Sequence, residues 1–179
     1  MIDEAVSPEL IGKVPLLYNF NETERRQMAD IAVIKHFAPG EVIVRQGEDS
    51  QVLWVVIEGT CEVVKYRDHG AGESLVLAVL EPYSHFGEMS FFSPAPHSAS
   101  VRARTAVMAL AIDRRDYDDL IRQGVWAPYK LAYNTLQQLT DRLRRMDQWV
   151  ADLATHHEPG ERTPEWSTFR DKLFSGWNL

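Results

Sequence analysis

The residues with the most chemistry lie in one stretch, Phe86 to Val101, F-G-E-M-S-F-F-S-P-A-P-H-S-A-S-V. Gly87 has no Cβ, so backbone at that point can approach a ligand closely. Glu88 is an acceptor suited to a sugar hydroxyl. Residues 88–92 fit a single helical turn, and the free N–H groups that open such a turn favour an anion. Pro94 and Pro96 mark a turn, and Ser98 offers a hydroxyl and a backbone N–H at the head of a strand-like segment, Ser98 to Arg104. Together these residues read as a cradle for a sugar and a phosphate.

The elements around the cradle set its position. Residues 1–35 read as helical. Ser7-Pro8-Glu9 opens one helix with proline at its first position, and Asn21-Glu-Thr-Glu opens another with the form of a capping box. From His36 to Ile112 the pattern turns to short β-rich runs: 41–45, 52–57, 61–66, 75–80 and 106–112. Turns at Pro39-Gly40, Gln46-Gly47-Glu48-Asp49, Glu58-Gly59 and 68–72 separate them. The spacing predicts an α+β chain, mainly β: a jelly-roll β-barrel of about eight strands with N-terminal helices and a long C-terminal helix. Asp113 caps a following helix that Gly124 ends.

In order and spacing, Phe86-Gly87-Glu88-Met89-Ser90-Phe91 and Pro96-His97-Ser98-Ala99-Ser100-Val101 resemble the phosphate-binding cassette of the cyclic-nucleotide-binding domain family. Pro39-Gly40-Glu41, Gln46-Gly47-Glu48 and Val55-Val56-Ile57-Glu58-Gly59 are similar to its other glycine motifs, so the resemblance covers roughly Leu16 to Leu120. It implies a cyclic mononucleotide, cyclic AMP or cyclic GMP, held by Phe86, Gly87, Glu88, Met89, His97, Ser98 and Ala99, with no cofactor required. Two positions depart from the family. His97 stands where the family grips the phosphate with an arginine, and Tyr83 stands at a turn glycine, which implies a differently bent approach to the cassette. An imidazole titrates near pH 6.5, and a neighbouring phosphate would raise that value, so affinity is expected to rise as pH falls.

Tyr129, Ala132, Leu136, Leu139, Leu143, Met146, Val150 and Leu153 recur at alternating spacings of three and four. Such a seam predicts a self-paired coiled coil, hence a homodimer through residues 129–153. It resembles the dimer helix of the catabolite activator branch, whose residues also reach the bound base. Matching Arg142-Leu143 and Val150 to that helix puts Met146 and Asp147 at the base positions, in place of small hydroxyl residues. The expected organisation is a β-roll with N-terminal helices over 1–124, a dimerisation helix over 125–154 and a tail over 155–179. The tail's Trp166, Phe169, Leu173, Phe174 and Trp177 fall on a rough helical face, suited to a latch on its own dimer or to docking on a protein partner. A helix-turn-helix domain needs about sixty residues, so the tail is not expected to read DNA.

Composition narrows the function classes. Nineteen basic residues against 26 acidic give a net charge of −7, which argues against general binding to nucleic acid or anionic membrane. The acidic N-terminus with no apolar stretch behind it and the lack of a long apolar run predict a cytoplasmic protein with no membrane contact. The single Cys61 excludes an intramolecular disulfide. No Ser/His/Asp order or Walker-type loop is apparent; His36, His69, His85 and His97 are scattered singly and the adjacent pair His156-His157 lies in the tail, unlike the closely spaced pair of cupin-type metal enzymes, so an enzyme is not expected. Two readings follow. One is a stand-alone regulatory sensor that binds a cyclic nucleotide and signals through its dimer helix to a partner. The other is a degenerate fold that serves as a ligand-free dimeric scaffold.

Overall fold

The computed structural model describes residues 5–66 and 74–155, with the side chains of the last three left aside. The chain divides into two compact units, Met1–Thr135 and Leu136–Leu179. The tail residues read above as an amphipathic segment lie outside the described residues.

The first unit opens with helix α1 (Pro8–Lys13), where the Ser7 side chain accepts from the Leu10 N–H and proline takes the first position. A single 3-10 turn follows at Pro15–Leu17, then α2 (Glu22–Asp30). The capping box is formed: Glu24 N–H donates to Asn21 Oδ1 at 2.9 Å, and Asn21 N–H donates to Glu24 Oε2 at 2.8 Å. Residues 32–35 were expected in this helical region; they form strand instead, as β1 (Ala32–Phe37). Their β-branched Val33 and Ile34 pair with a distant strand from Ala32↔Ile112 to Phe37↔Val107, and that long-range ladder overrides the local helical pattern.

The other strands are β2 (Val42–Val44), β3 (Val52–Glu58), β4 (Cys61–Tyr66), β5 (Ser74–Leu80), β6 (His85–Phe86), β7 (Ser100–Ala103) and β8 (Val107–Asp113). They form two four-stranded antiparallel sheets, ordered β1-β8-β3-β6 and β2-β7-β4-β5. The eight-stranded, mainly β architecture with flanking helices is thus present. The two-residue β6, unforeseen from sequence, pairs His85 and Phe86 with Val55 and Trp54 and so fixes the start of the cassette.

In the first sheet β3 and β8 are buried on both faces. Leu53, Val55, Ile57, Leu110 and Ile112 pack on the helices with Ile11, Leu16, Leu17, Met28 and Leu131. Their neighbours Val56, Val107 and Ala109 face the second sheet's Val44, Cys61, Val101 and Ala103. Two-sided burial explains why β3 and β8 read as nearly continuous apolar runs. Burial also pushes the Cys61 thiol up to about 11, as suits an inert core residue.

β8 runs directly into α4 (Arg114–Arg122), capped by Asp113, whose carboxylate accepts from the Arg115 N–H. Gly124, in the left-handed region at φ +71°, closes it. The long helix α5 (Ala127–Thr155) begins inside the first unit. Ala127 and Leu131 are fully buried, and Asn134 donates to the Leu16 carbonyl at 2.7 Å and to Asn19 Oδ1 at 3.0 Å. In the second unit the same helix leaves Leu136, Leu143 and Met146 exposed, at 62%, 45% and 52%. Among the described residues no helix is long and apolar enough to cross a membrane.

Candidate functional site

The cassette begins where β6 leaves β3. The turn before it runs through Tyr83, which takes the left-handed backbone at φ 69°, and its N–H donates to the Val56 carbonyl. The left-handed backbone that glycine favours is therefore taken here by a tyrosine. Phe86 stacks on Trp54 with ring centroids 6.1 Å apart.

Gly87 has a structural requirement of its own. Its φ is +84°, and a Cβ there would stand 2.4 Å from the Val52 carbonyl oxygen. The close approach inferred from the sequence is thus to β3: the glycine is needed by the fold before any ligand is considered.

After it comes α3 (Glu88–Phe92), whose Phe91 N–H donates to the Gly87 carbonyl at 2.9 Å. Phe91 is fully buried and meets Phe92 and Tyr117 edge-on at 4.9 and 5.1 Å. Arg114 donates to the Phe91 carbonyl at 2.6 Å and pairs with Asp118, so α4 holds the C-terminal end of α3 in place. The opposite end of α3 carries the functional candidates. The Glu88 carboxylate is buried, at 4% exposure, whereas Met89 stands 61% exposed.

At the far end of the cassette, the main chain of His97 clasps the 47–50 loop. Its N–H donates to the Glu48 carbonyl at 3.0 Å, and its carbonyl accepts from the Gly47 N–H at 2.9 Å. The imidazole is 7% exposed and both nitrogens are occupied: Nε2 lies 2.6 Å from Ser50 Oγ, and Nδ1 lies 3.2 Å from Ser90 Oγ. Burial is the largest influence and lowers its pKa; Asp49, Glu48 and a hydrogen bond to the Ser50 backbone pull the other way, but the net direction is below the ordinary value. The sequence suggested a free imidazole ready to charge beside a phosphate. In this geometry the buried ring bridges two serine hydroxyls.

The remaining candidates are spread over distinct settings. Ser98 is exposed and its carbonyl accepts from Lys65 Nζ at 2.8 Å; Ala99 is half-buried. Ser100, at 5% exposure, accepts the Gln46 N–H on its hydroxyl at 2.9 Å. Met146 and Asp147 lie in the second unit on the exposed part of α5. Phe86 to Ala99 are therefore gathered by one β6–α3–β7 connection, while the two base-position candidates belong to another unit.

Ser50, Ser90, Asp49 and Lys65 were not singled out from the sequence. Ser90 alone carried a signal, since it lies in the cassette, seven residues from His97. Ser50 and Lys65 reach the site across 47 and 33 residues of chain, through contacts that only the sheet pairing creates. A cleft of about 580 Å³ opens beside Ser50, bordered by Pro94, Pro96 and Arg114. Its arginines, Arg114 and Arg115, are paired with Asp118 and Asp113. Among the described residues no three His, Cys, Asp or Glu side chains converge as metal ligands.

Comparison with known proteins supplies independent findings. The family model described as "Cyclic nucleotide-binding domain" matches residues 34–124, half of the chain. The chain is similar to the CRP-like cAMP-activated global transcriptional regulator of Mycobacterium tuberculosis, 31% identical over 124 residues, which cover 69% of this chain and 53% of that protein. It is also similar to the cAMP-dependent protein kinase regulatory subunit of Dictyostelium discoideum, 30% identical over 63% of this chain and 35% of that one. The crystal structure of Thermus thermophilus catabolite activator protein superposes with a TM-score of 0.67 at 30% identity, over 78% of this chain and 63% of that chain. The chain thus spans about half, or less, of the length of the curated relatives it matches.

Proposed function

The chain belongs to the cyclic nucleotide-binding domain family, and from that premise we propose that it is a regulatory module whose Phe86–Val101 cassette holds a small ribose-bearing ligand of the nucleotide class. The observation that carries the reading is the buried Glu88 carboxylate at the head of α3, with the Ser98 hydroxyl exposed at the other end of the same connection. A carboxylate accepts from ribose hydroxyls, and the opening amides of α3 are donors without helical partners of their own. Occupancy is passed on through a homodimer formed along 129–153, a reading supported by the exposed Leu136, Leu143 and Met146. The module carries no catalytic step in this reading, and the tail over 155–179 serves a protein contact. With a net charge of −7 it does not hold duplex DNA by itself.

A thermal-shift screen of the full chain against cyclic AMP, cyclic GMP, cyclic dinucleotides and nucleosides tests the reading. A ligand at a hundred times its Kd stabilises the native state by about 2.7 kcal/mol. A rise in Tm with one of these ligands is expected, and a flat response to all of them supports the second reading, a ligand-free dimeric scaffold. That second reading draws on one observation, the engagement of both His97 nitrogens by serine hydroxyls.

A further inference from the structure

The far end of the cassette has no guanidinium, and what replaces it has the wrong chemistry for a phosphate. His97 cannot turn outward without giving up Ser50 on Nε2 and Ser90 on Nδ1, at 2.6 and 3.2 Å, and its main chain is clasped by Gly47 and Glu48 as well. The charges that act on its ring are carboxylates, Asp49 and Glu48. Every cation near the cassette that the described residues show is already engaged. Arg45 lies 3.7 Å from Glu48, Arg114 is on the Phe91 carbonyl and Asp118, and the exposed Lys65 is on the Ser98 carbonyl.

A cyclic phosphodiester brings a full negative charge and oxygens that only accept. A ribonucleoside brings 3′ and 5′ hydroxyls that both donate and accept, and no charge. Among its side chains the cassette offers an acceptor and a hydroxyl, the Glu88 carboxylate and the Ser98 hydroxyl. A phosphate here would be desolvated beside carboxylates with no fork to pair it. A nucleoside leaves those carboxylates useful, as partners for its hydroxyls.

We propose that the cassette takes an uncharged ribonucleoside in preference to a cyclic mononucleotide, with Glu88 accepting from the ribose and the His97–Ser50–Ser90 bridge closing the space where a phosphate would sit. This rests on the cassette being a ligand site at all, as proposed above.

Isothermal titration of the full chain with adenosine, guanosine, cyclic AMP and cyclic GMP at neutral pH tests it. At least one nucleoside is expected to bind at least about tenfold tighter than its cyclic monophosphate, roughly 1.4 kcal/mol. Its affinity is expected to stay constant as salt is raised, because no ion pair is formed. The 2′-deoxynucleoside is expected to bind more weakly, through loss of a hydroxyl for Glu88. His97→Arg is expected to reverse the preference by restoring a phosphate fork. Cyclic mononucleotides binding the wild type as tightly as nucleosides would overturn this inference while leaving the ligand-site reading intact. Cyclic AMP binding that disappears in Lys65→Met would do the same, by placing the missing cation at Lys65. Silence with all four ligands would sink both. The wild-type comparison decides the matter even where His97→Arg does not fold.

Discussion

Residues 127–135 and 136–152 of α5 lie in opposite settings. In the first stretch Ala127 and Leu131 are fully buried, and polar residues beside them are engaged over long sequence distances: Lys130 with Glu24, Asn134 with Leu16 and Asn19. In the second, Leu136, Leu143 and Met146 stay exposed, and the polar bonds run along the helix itself, Arg144 to Asp141 and Gln148 to Asp152. Periodicity tells which residues share a face. Whether that face is already claimed by the same chain is told by where its polar neighbours find their partners.

The largest effect expected from breaking this contrast is at Leu131. Leu131→Ala should cost about 2–5 kcal/mol, as for other fully buried leucines, whereas Trp149→Ala, at a position 74% exposed, should stay within about 0.5 kcal/mol. Urea unfolding of both variants checks the ratio. Equal losses would mean that the two stretches are equally buried in solution.

A smaller loss, about 1–3 kcal/mol, is expected for Lys130→Met, which leaves the Glu24 carboxylate, 6% exposed, without its cation. Burial is the largest single influence on Glu24 and raises its pKa, but the bonds from Lys130 and the Asn21 N–H together outweigh it and the net shift is downward. A carboxylate with a lowered pKa contributes stability above its ordinary value near 4.5 and loses it as pH falls through the folded value. The gap between wild type and variant should therefore close on acidification. A gap that widens instead would contradict the pairing.

His97 should give a weaker pH effect at higher pH. Its folded pKa lies below 6.5, so the unfolded chain takes up the proton first and stability is lost as pH falls from 6.5 toward the folded value. Denaturation midpoints between about pH 7.5 and 5.5 should fall less steeply in His97→Gln than in wild type. Identical slopes would show that the ring is not held neutral by burial.

The least effect on folding, with the clearest effect on assembly, is expected for Leu143→Glu. Leu143 is 45% exposed, so the chain should fold as before, while a charge in the seam should convert a dimer to a monomer in sedimentation. A variant that stays dimeric and folded would place the interface elsewhere.

Much of the fold could be read from local chemistry. The caps at Ser7, Asn21 and Asp113 and the turn at Gly124 depend on neighbours a few residues away, and they stand where the sequence puts them. β1 could not be read this way, because Ala32–Phe37 is made a strand by Val107–Ile112, some seventy residues later. The cassette divides along the same line. Its helical turn and its boundaries follow from local spacing, but Gly87 is dictated by the Val52 carbonyl and His97 by Ser50, both on chain far from the motif. A motif fixes the order of residue types; the role of each side chain waits on what the sheet carries to it.

The central claim, that the Phe86–Val101 connection is a ligand site, is tested most directly by a titration of the 15N-labelled full chain followed by its backbone amide signals. Cyclic AMP, cyclic GMP, adenosine and guanosine are added in turn. The account predicts saturable shifts concentrated on the amides of Gly87 to Ser90 and of Ser98 to Ser100, with at least one of the four ligands. Saturable shifts centred elsewhere, for example on Gln51 and Arg114 beside the cleft, or no shifts with any ligand, would contradict it.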